Sequence, residues 1–151
     1  MIGGELATNR LNPYGFYMSN VELTAKLETH GLRATRPRIS VARLLFGDGV
    51  DRHITAEWVA DRLKETGKNV ALATVYNTLH NFAEAGLIRE VQGGDRGAIV
   101  FDTNATPHHH FYNETTKTLT DIPASQVEIL GLPNPPDGAE VVGWELVVRV
   151  R

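Results

Sequence analysis

Three consecutive histidines, His108, His109 and His110, sit between Pro107 and Phe111 and make up half of the six in the chain. In a β-strand, residues i and i+2 share a face about 6–7 Å apart at the backbone. His108 and His110 can therefore grip one ion, while His109 points to the other side. His53 and Asp102 are further donors, and Asp121 is another carboxylate. Imidazole combined with carboxylate suits Fe²⁺, Mn²⁺ or Zn²⁺. Histidine is also a common axial ligand of haem iron, which makes His108, His109 and His110 a haem candidate as well. The competing reading is a surface histidine cluster. A purification tag is excluded because the run is internal and short. His30 and His80 have no partner nearby in sequence and read as surface or boundary residues.

A second kind of chemistry lies upstream. Two helical stretches, about 55–66 and 71–85, are joined by a short turn containing Gly67. That is the sequence shape of a helix-turn-helix. On the second stretch Leu72, Val75, Leu79 and Phe82 form the apolar face. The opposite face carries Ala73, Tyr76, Asn77 and His80, with no acid before Glu84, and Thr74 is a further candidate for DNA contact. A helix that enters the major groove must not repel phosphate, and its N-terminal end makes the base contacts. The Tyr76 ring can meet a thymine methyl group. Arg33, Arg36 and Arg38 fall within GLRATRPR, residues 31–38, which has no acid. They suit backbone phosphate or a narrow minor groove. The alternative is a plain three-helix core with a solvated polar face.

The elements that must position these residues follow from periodicity and caps. Residues 1–18 show no clear period and read as a flexible arm. Ser19 or Asn20 caps a helix that Gly31 ends, and Pro37 lies in the first turn of another running to Phe46. LIREV, 87–91, and AIVFD, 98–102, flank a glycine-rich turn and predict a β-hairpin. Residues 19–102 thus read as a winged helix, and TNATP, 103–107, as a hinge. Residues 108–151 read as strands near 108–113 and 117–122, then a helix from Pro123 to about Leu130. A proline-rich loop at 133–138 and a strand from Val141 to Val150 complete them. The fold class is therefore α+β, a winged helix-turn-helix domain with a small C-terminal α/β domain. That last region is too short to close a core alone without disulfide, metal or partner. A homodimer joined through it is expected, the alternative being packing on its own chain.

The formal net charge is −3 over 151 residues, which argues weakly against nucleic acid. The average misleads. Residues 19–92 carry ten basic side chains against nine acidic, and 93–151 carry four against eight. The acidity belongs to the C-terminal third. Zero cysteine excludes a disulfide scaffold, a thiol nucleophile, an iron–sulfur cluster and cysteine-ligated zinc. No apolar run approaches the roughly 20 residues that span a bilayer. With no signal peptide evident, the cytoplasm is the expected location and no membrane partner is expected. There is no G-x-S-x-G, no phosphate-binding glycine loop and no H-E-x-x-H. A metal hydrolase built on the histidines would lack an identifiable general base, so no enzyme activity is expected.

GLRATRPR, HITAEWVADRL, ALATVYNTLHNFAEAGLIREV, VFDTN and HHHF occur in the order found in the ferric uptake regulator (Fur) superfamily. TVYNTLHNFAEAGL, FDTN, HHHF and DIPASQVEILGLP resemble its iron response regulator (Irr) branch. The resemblance covers about residues 19–151. It implies a homodimeric transcription regulator of iron and haem genes that binds an operator in double-stranded DNA. It implies that His53, Asp102, His108 and His110 hold the regulatory metal, with Asp121 at a further carboxylate position. His109 and Glu128 match two ligands of a second metal site, where Pro107 replaces a third. Tyr76 matches the residue that meets thymine, and Arg33 the one that reaches backbone or minor groove. Two departures stand out. Asn113 and Thr116 occupy a position where many relatives carry a C-x-x-C zinc motif, so the structural zinc is absent. A cysteine-containing haem motif is absent too, so haem would act through histidine. The expected rivals are a peroxide sensor that oxidises a ligand histidine, a metal hydrolase, and a metal or haem carrier with no DNA role.

Overall fold

A computed structural model describes residues 18–91 and 99–151. The expected arm falls almost wholly outside the described residues, as does the turn of the expected hairpin. The described residues divide into two compact units, one holding 18–91 and 99–105, the other 106–151.

In the first unit, α1 (Asn20–Thr29) begins at a reciprocal cap. Ser19 Oγ accepts from the Glu22 N–H at 3.2 Å, and the Ser19 N–H donates to Glu22 Oε2 at 2.7 Å. Pro37 lies in the first turn of α2 (Arg36–Phe46), where its missing N–H costs nothing. The strand β1 (His53–Ile54) leads to Thr55, whose hydroxyl caps α3 (Ala56–Glu65) by accepting from the Trp58 N–H at 3.2 Å. The last helix is α4 (Leu72–Glu84). It stops at Gly86, whose φ of +75° lets the Leu87 N–H turn back to the Phe82 carbonyl at 2.9 Å. Leu23, Leu27, Val41, Leu45, Val59, Leu63, Val75, Leu79 and Phe82 bury together as one core.

The strands β2 (Arg89–Val91) and β3 (Val100–Asp102) pair antiparallel, and β1 pairs with the other edge of β3. The order is β1-β3-β2. Four packed helices backed by this small sheet form a winged helix-turn-helix. One expected core residue behaves differently. Leu72, the first residue of α4, is 43% exposed, and Thr78 is buried in its place. Leu72 stands ahead of the first full turn, where no neighbouring helix covers it.

In the second unit, β4 (His108–Asn113) is central. It pairs antiparallel with β5 (Thr118–Pro123) and parallel with β6 (Val147–Val150). Asn113 Oδ1 closes the β4–β5 turn by accepting from the Thr115 and Thr116 N–H groups, both at 2.9 Å. Glu114 pairs with Arg149 and Arg151, tying the end of β4 to the end of β6.

Two expectations fail in this unit. The helix from Pro123 to Leu130 is only a 3₁₀ turn, Ala124–Gln126, after which Val127 is extended. Val127 and Ile129 are β-branched and Gly131 follows at φ +74°, so the stretch is too short to nucleate a helix alone. Ile129 and Leu130 are exposed, so packing does not rescue it. The last strand is Val147–Val150 rather than 141–150, because pairing with β4 begins at His110↔Val147. No helix among the described residues is long and apolar enough to cross a membrane.

Candidate metal centre and nucleic-acid interface

The potential ligands fall into two sets, one in each unit. In the first unit the register of β1 and β3 sets His53 directly opposite Asp102. Their side chains meet at 3.2 Å, His53 Nε2 to Asp102 Oδ2. Asp102 is buried, and its other oxygen accepts the Asn104 N–H at 2.8 Å. The adjoining backbone is pinned as well. The Arg52 N–H donates to Thr103 Oγ1 at 2.8 Å, and the Thr103 N–H donates to the Arg52 carbonyl at 3.0 Å. The Arg52 guanidinium clasps Asp48 and holds that carboxyl below its usual range. The sequence DTN thus acts as a mount for one carboxylate.

In the second unit His108 and His110 do share a face of β4. Their Nε2 atoms stand 3.1 Å apart, and each lies 3.6 Å from Asp121 Oδ1 across the β4–β5 register. One ring proton can be assigned from its partner. His108 Nδ1 lies 2.7 Å from the Thr106 carbonyl, which requires an N–H there and leaves a lone pair on Nε2. His110 Nδ1 lies 3.2 Å from Glu145 Oε1, out of hydrogen-bond alignment. The two Nε2 atoms stand at hydrogen-bond distance from each other and near a carboxylate oxygen, and the same three atoms can converge on one cation in place of the shared proton. Outer partners of this kind fix ring tautomer in metal-bound histidines. The donor set is nitrogen and oxygen only, which fits Fe²⁺, Mn²⁺ or Zn²⁺.

The three neighbouring imidazoles are 4%, 4% and 0% exposed, which removes the surface-cluster reading. His109 does point to the opposite face of β4. There the Trp144 ring stacks on it at 4.2 Å between centroids, and the Leu146 N–H donates to its Nδ1 at 3.3 Å. Glu128 is exposed beyond the 3₁₀ turn and is not grouped with His109 as a ligand set among the described residues.

On α4, Ala73 and Asn77 are exposed and Thr74 and Tyr76 are half-buried, while Val75, Thr78 and Leu79 face the core. Arg33 and Arg36 are exposed at the start of α2, and Arg38 donates to the Arg33 carbonyl at 3.1 Å. The Tyr76 hydroxyl donates to Glu57 Oε1 on α3 at 2.6 Å. That bond holds the Glu57 carboxyl below its usual range and raises the Tyr76 phenol above its own. What the pair contributes is therefore present at neutral pH and lost as pH falls through the Glu57 titration.

Sequence reasoning missed Glu57, Trp144 and Glu145. Glu57 reads as an ordinary first-turn acid of α3. Glu145 and Trp144 reach β4 through a parallel pairing some 35 residues away in sequence, for which no spacing rule exists.

Comparison with known proteins agrees with this layout. The profile described as "Ferric uptake regulator family" matches residues 29–135. The chain is 35% identical over 134 residues to the ferric uptake regulation protein of Pseudomonas putida, covering 84% of this chain and 95% of that one. It is 30% identical over 106 residues to the peroxide-responsive repressor PerR of Staphylococcus aureus, covering 70% of each. Among solved structures, the ferric uptake regulator of Pseudomonas aeruginosa with manganese aligns at a TM-score of 0.66 and 29% identity, covering 85% of this chain and 96% of that chain. Such proteins are transcription regulators, which sets the hydrolase reading aside. With a winged helix, a small second unit built on a three-stranded sheet and nitrogen–oxygen donor sets in each, the chain belongs to the ferric uptake regulator family of metal-responsive regulators.

Proposed function

We propose that the protein is a homodimeric, metal-dependent repressor that binds operator DNA in the cytoplasm. The observation that carries the reading is the convergence of His108 Nε2, His110 Nε2 and Asp121 Oδ1, three atoms close enough to ligate one cation once neither ring nitrogen carries a proton. His53 and Asp102 complete the ligand set for one regulatory ion. The winged helix, 19–102, reads DNA, residues 108–151 dimerise, and 103–107 act as the hinge. Asp102 ends one element and His108 begins the next, so an ion held by both sets favours one arrangement of the hinge. The bound ion would supply charge and geometry. The Thr106 carbonyl orients the His108 ring, and burial keeps water away from His110.

Tyr76, Asn77, Ala73 and Thr74 meet bases, and Arg33, Arg36 and Arg38 meet phosphate. Replacing both Tyr76 and Arg33 by Ala should reduce operator binding to the non-specific level while metal content stays unchanged. Gel-shift and metal analysis of the same preparation check this. Retained specific binding would overturn the docking of α4.

The finer reading is an Irr-type regulator that also answers to haem. It is supported by the Irr-like segments 74–87 and 121–133 and by the histidine run. Because Trp144 covers His109, haem should bind slowly. Trp144→Ala should speed the appearance of the Soret band, and His109→Ala should alter it. An unchanged spectrum in both variants would place haem elsewhere.

The likeness to a peroxide-responsive repressor favours a second reading, in which bound iron oxidises a ligand. Mass spectrometry after peroxide treatment of the iron-loaded protein decides it. Oxygen added at His53, His108 or His110 would support peroxide sensing, and unmodified histidines would exclude it.

A further inference from the structure

An acid is out of place beside a surface that must approach phosphate. Glu57 is nevertheless exposed on α3 and holds the Tyr76 hydroxyl at 2.6 Å, the length of a charge-assisted O–H···O bond. From the other side the His80 ring stacks on Tyr76 at 6.4 Å between centroids and 20° between planes. His80 in turn meets Phe101 edge-on at 5.5 Å, and Phe101 is fully buried. The Tyr76 ring is thus fixed from two directions, by the core through His80 and by α3 through Glu57. An untethered tyrosine at the half-exposed start of a recognition helix would sample several rotamers. Ordering it on the DNA would then cost conformational entropy at the moment of binding.

We propose that Glu57 is a positioning residue for base reading. Its carboxylate pre-sets the Tyr76 ring, contributing sequence discrimination at the expense of overall attraction to DNA. This rests on the reading of Tyr76 as a base-contacting residue. The plainer account is that Glu57 only complements the N-terminal dipole of α3, beside the Thr55 cap. The two accounts differ in one respect. A dipole partner acts on the stability of α3 and is indifferent to the Tyr76 hydroxyl. A positioning residue must be coupled to that hydroxyl.

The test uses the full-length protein with added Mn²⁺. One probe is a duplex selected by the wild-type protein from a random pool, the other its scrambled counterpart. Discrimination is the ratio of the two affinities. Glu57→Ala should lower that ratio by about tenfold, the scale of one base contact. Binding to the scrambled duplex should tighten, because a negative charge has left the DNA face. Glu57→Gln, whose amide oxygen still accepts from a phenol, should restore most of the ratio. Tyr76→Phe keeps the ring, leaves α3 untouched and should lower the ratio as Glu57→Ala does. The double variant should be no worse than either single one, because both remove the same bond. Additive losses, or an unchanged ratio in Tyr76→Phe or Glu57→Ala, would overturn the proposal. Failure of the base-reading assignment itself looks different. In that case Tyr76→Ala would also leave the ratio unchanged.

Discussion

His110→Ala should abolish the metal response of operator binding and lower Mn²⁺ affinity by more than about 100-fold, beyond the usual effect of losing an outer partner of a ligand. His110 is fully buried and its Nε2 faces both His108 and Asp121, so no other side chain can replace it without moving β4. The effect separates cleanly from unfolding. In the wild-type protein, Mn²⁺ at 100 times its dissociation constant should add about 2.7 kcal/mol of stability. The variant should show almost none of that gain, while its metal-free melting temperature stays measurable. Asp102→Asn offers a second check from the other donor set, because it keeps shape and removes charge. Calorimetric titration with Mn²⁺ reads both variants. If His110→Ala retains wild-type affinity, the ion is bound elsewhere.

The second large effect concerns assembly. Among the described residues of the second unit, the buried apolar side chains are Tyr112 and Ile122. Leu130, Leu132, Val141 and Val142 are exposed, Val142 at 97%. That balance does not sustain a unit of this size, and a second copy is the natural cover for the apolar surface. Leu130→Asp together with Val142→Asp should give a monomer by analytical ultracentrifugation. Both positions are open to solvent in the single chain, so its own fold should survive. Operator affinity should fall by about 10²–10⁴, the advantage normally gained by linking two binding events. Metal binding by the monomer should persist, because all five proposed ligands belong to one chain. A dimer of unchanged strength would place the interface on another surface.

The four helices were legible in the sequence because each carries local punctuation. Ser19 with Glu22, Pro37, Thr55, and the glycines after α1, α3 and α4 act within a few residues of themselves. The pairing of His108 with His110 was legible too, since period two is a property of any strand. What escaped is set by partners distant in sequence. The strand β1 is two residues long and exists because β3 offers it an edge. The helix expected at Pro123 had a starting signal but no face to bury. Glu145 and Trp144 take their places only once β6 has paired with β4, and nothing near them in sequence announces it. Glu57 was visible as an acid, but its bond to Tyr76 depends on how α3 and α4 pack.

The Asn113 side chain closes the β4–β5 turn with two hydrogen bonds, at a position where the resemblance implies a cysteine pair in many relatives. A turn held by an amide needs no trace element for its own folding. The closure of this turn is therefore independent of zinc supply. With no thiol in the chain, thiol-specific reagents have no target. The proposed metal site, with nitrogen and oxygen donors only, is likewise separate from the thiol redox state of its surroundings.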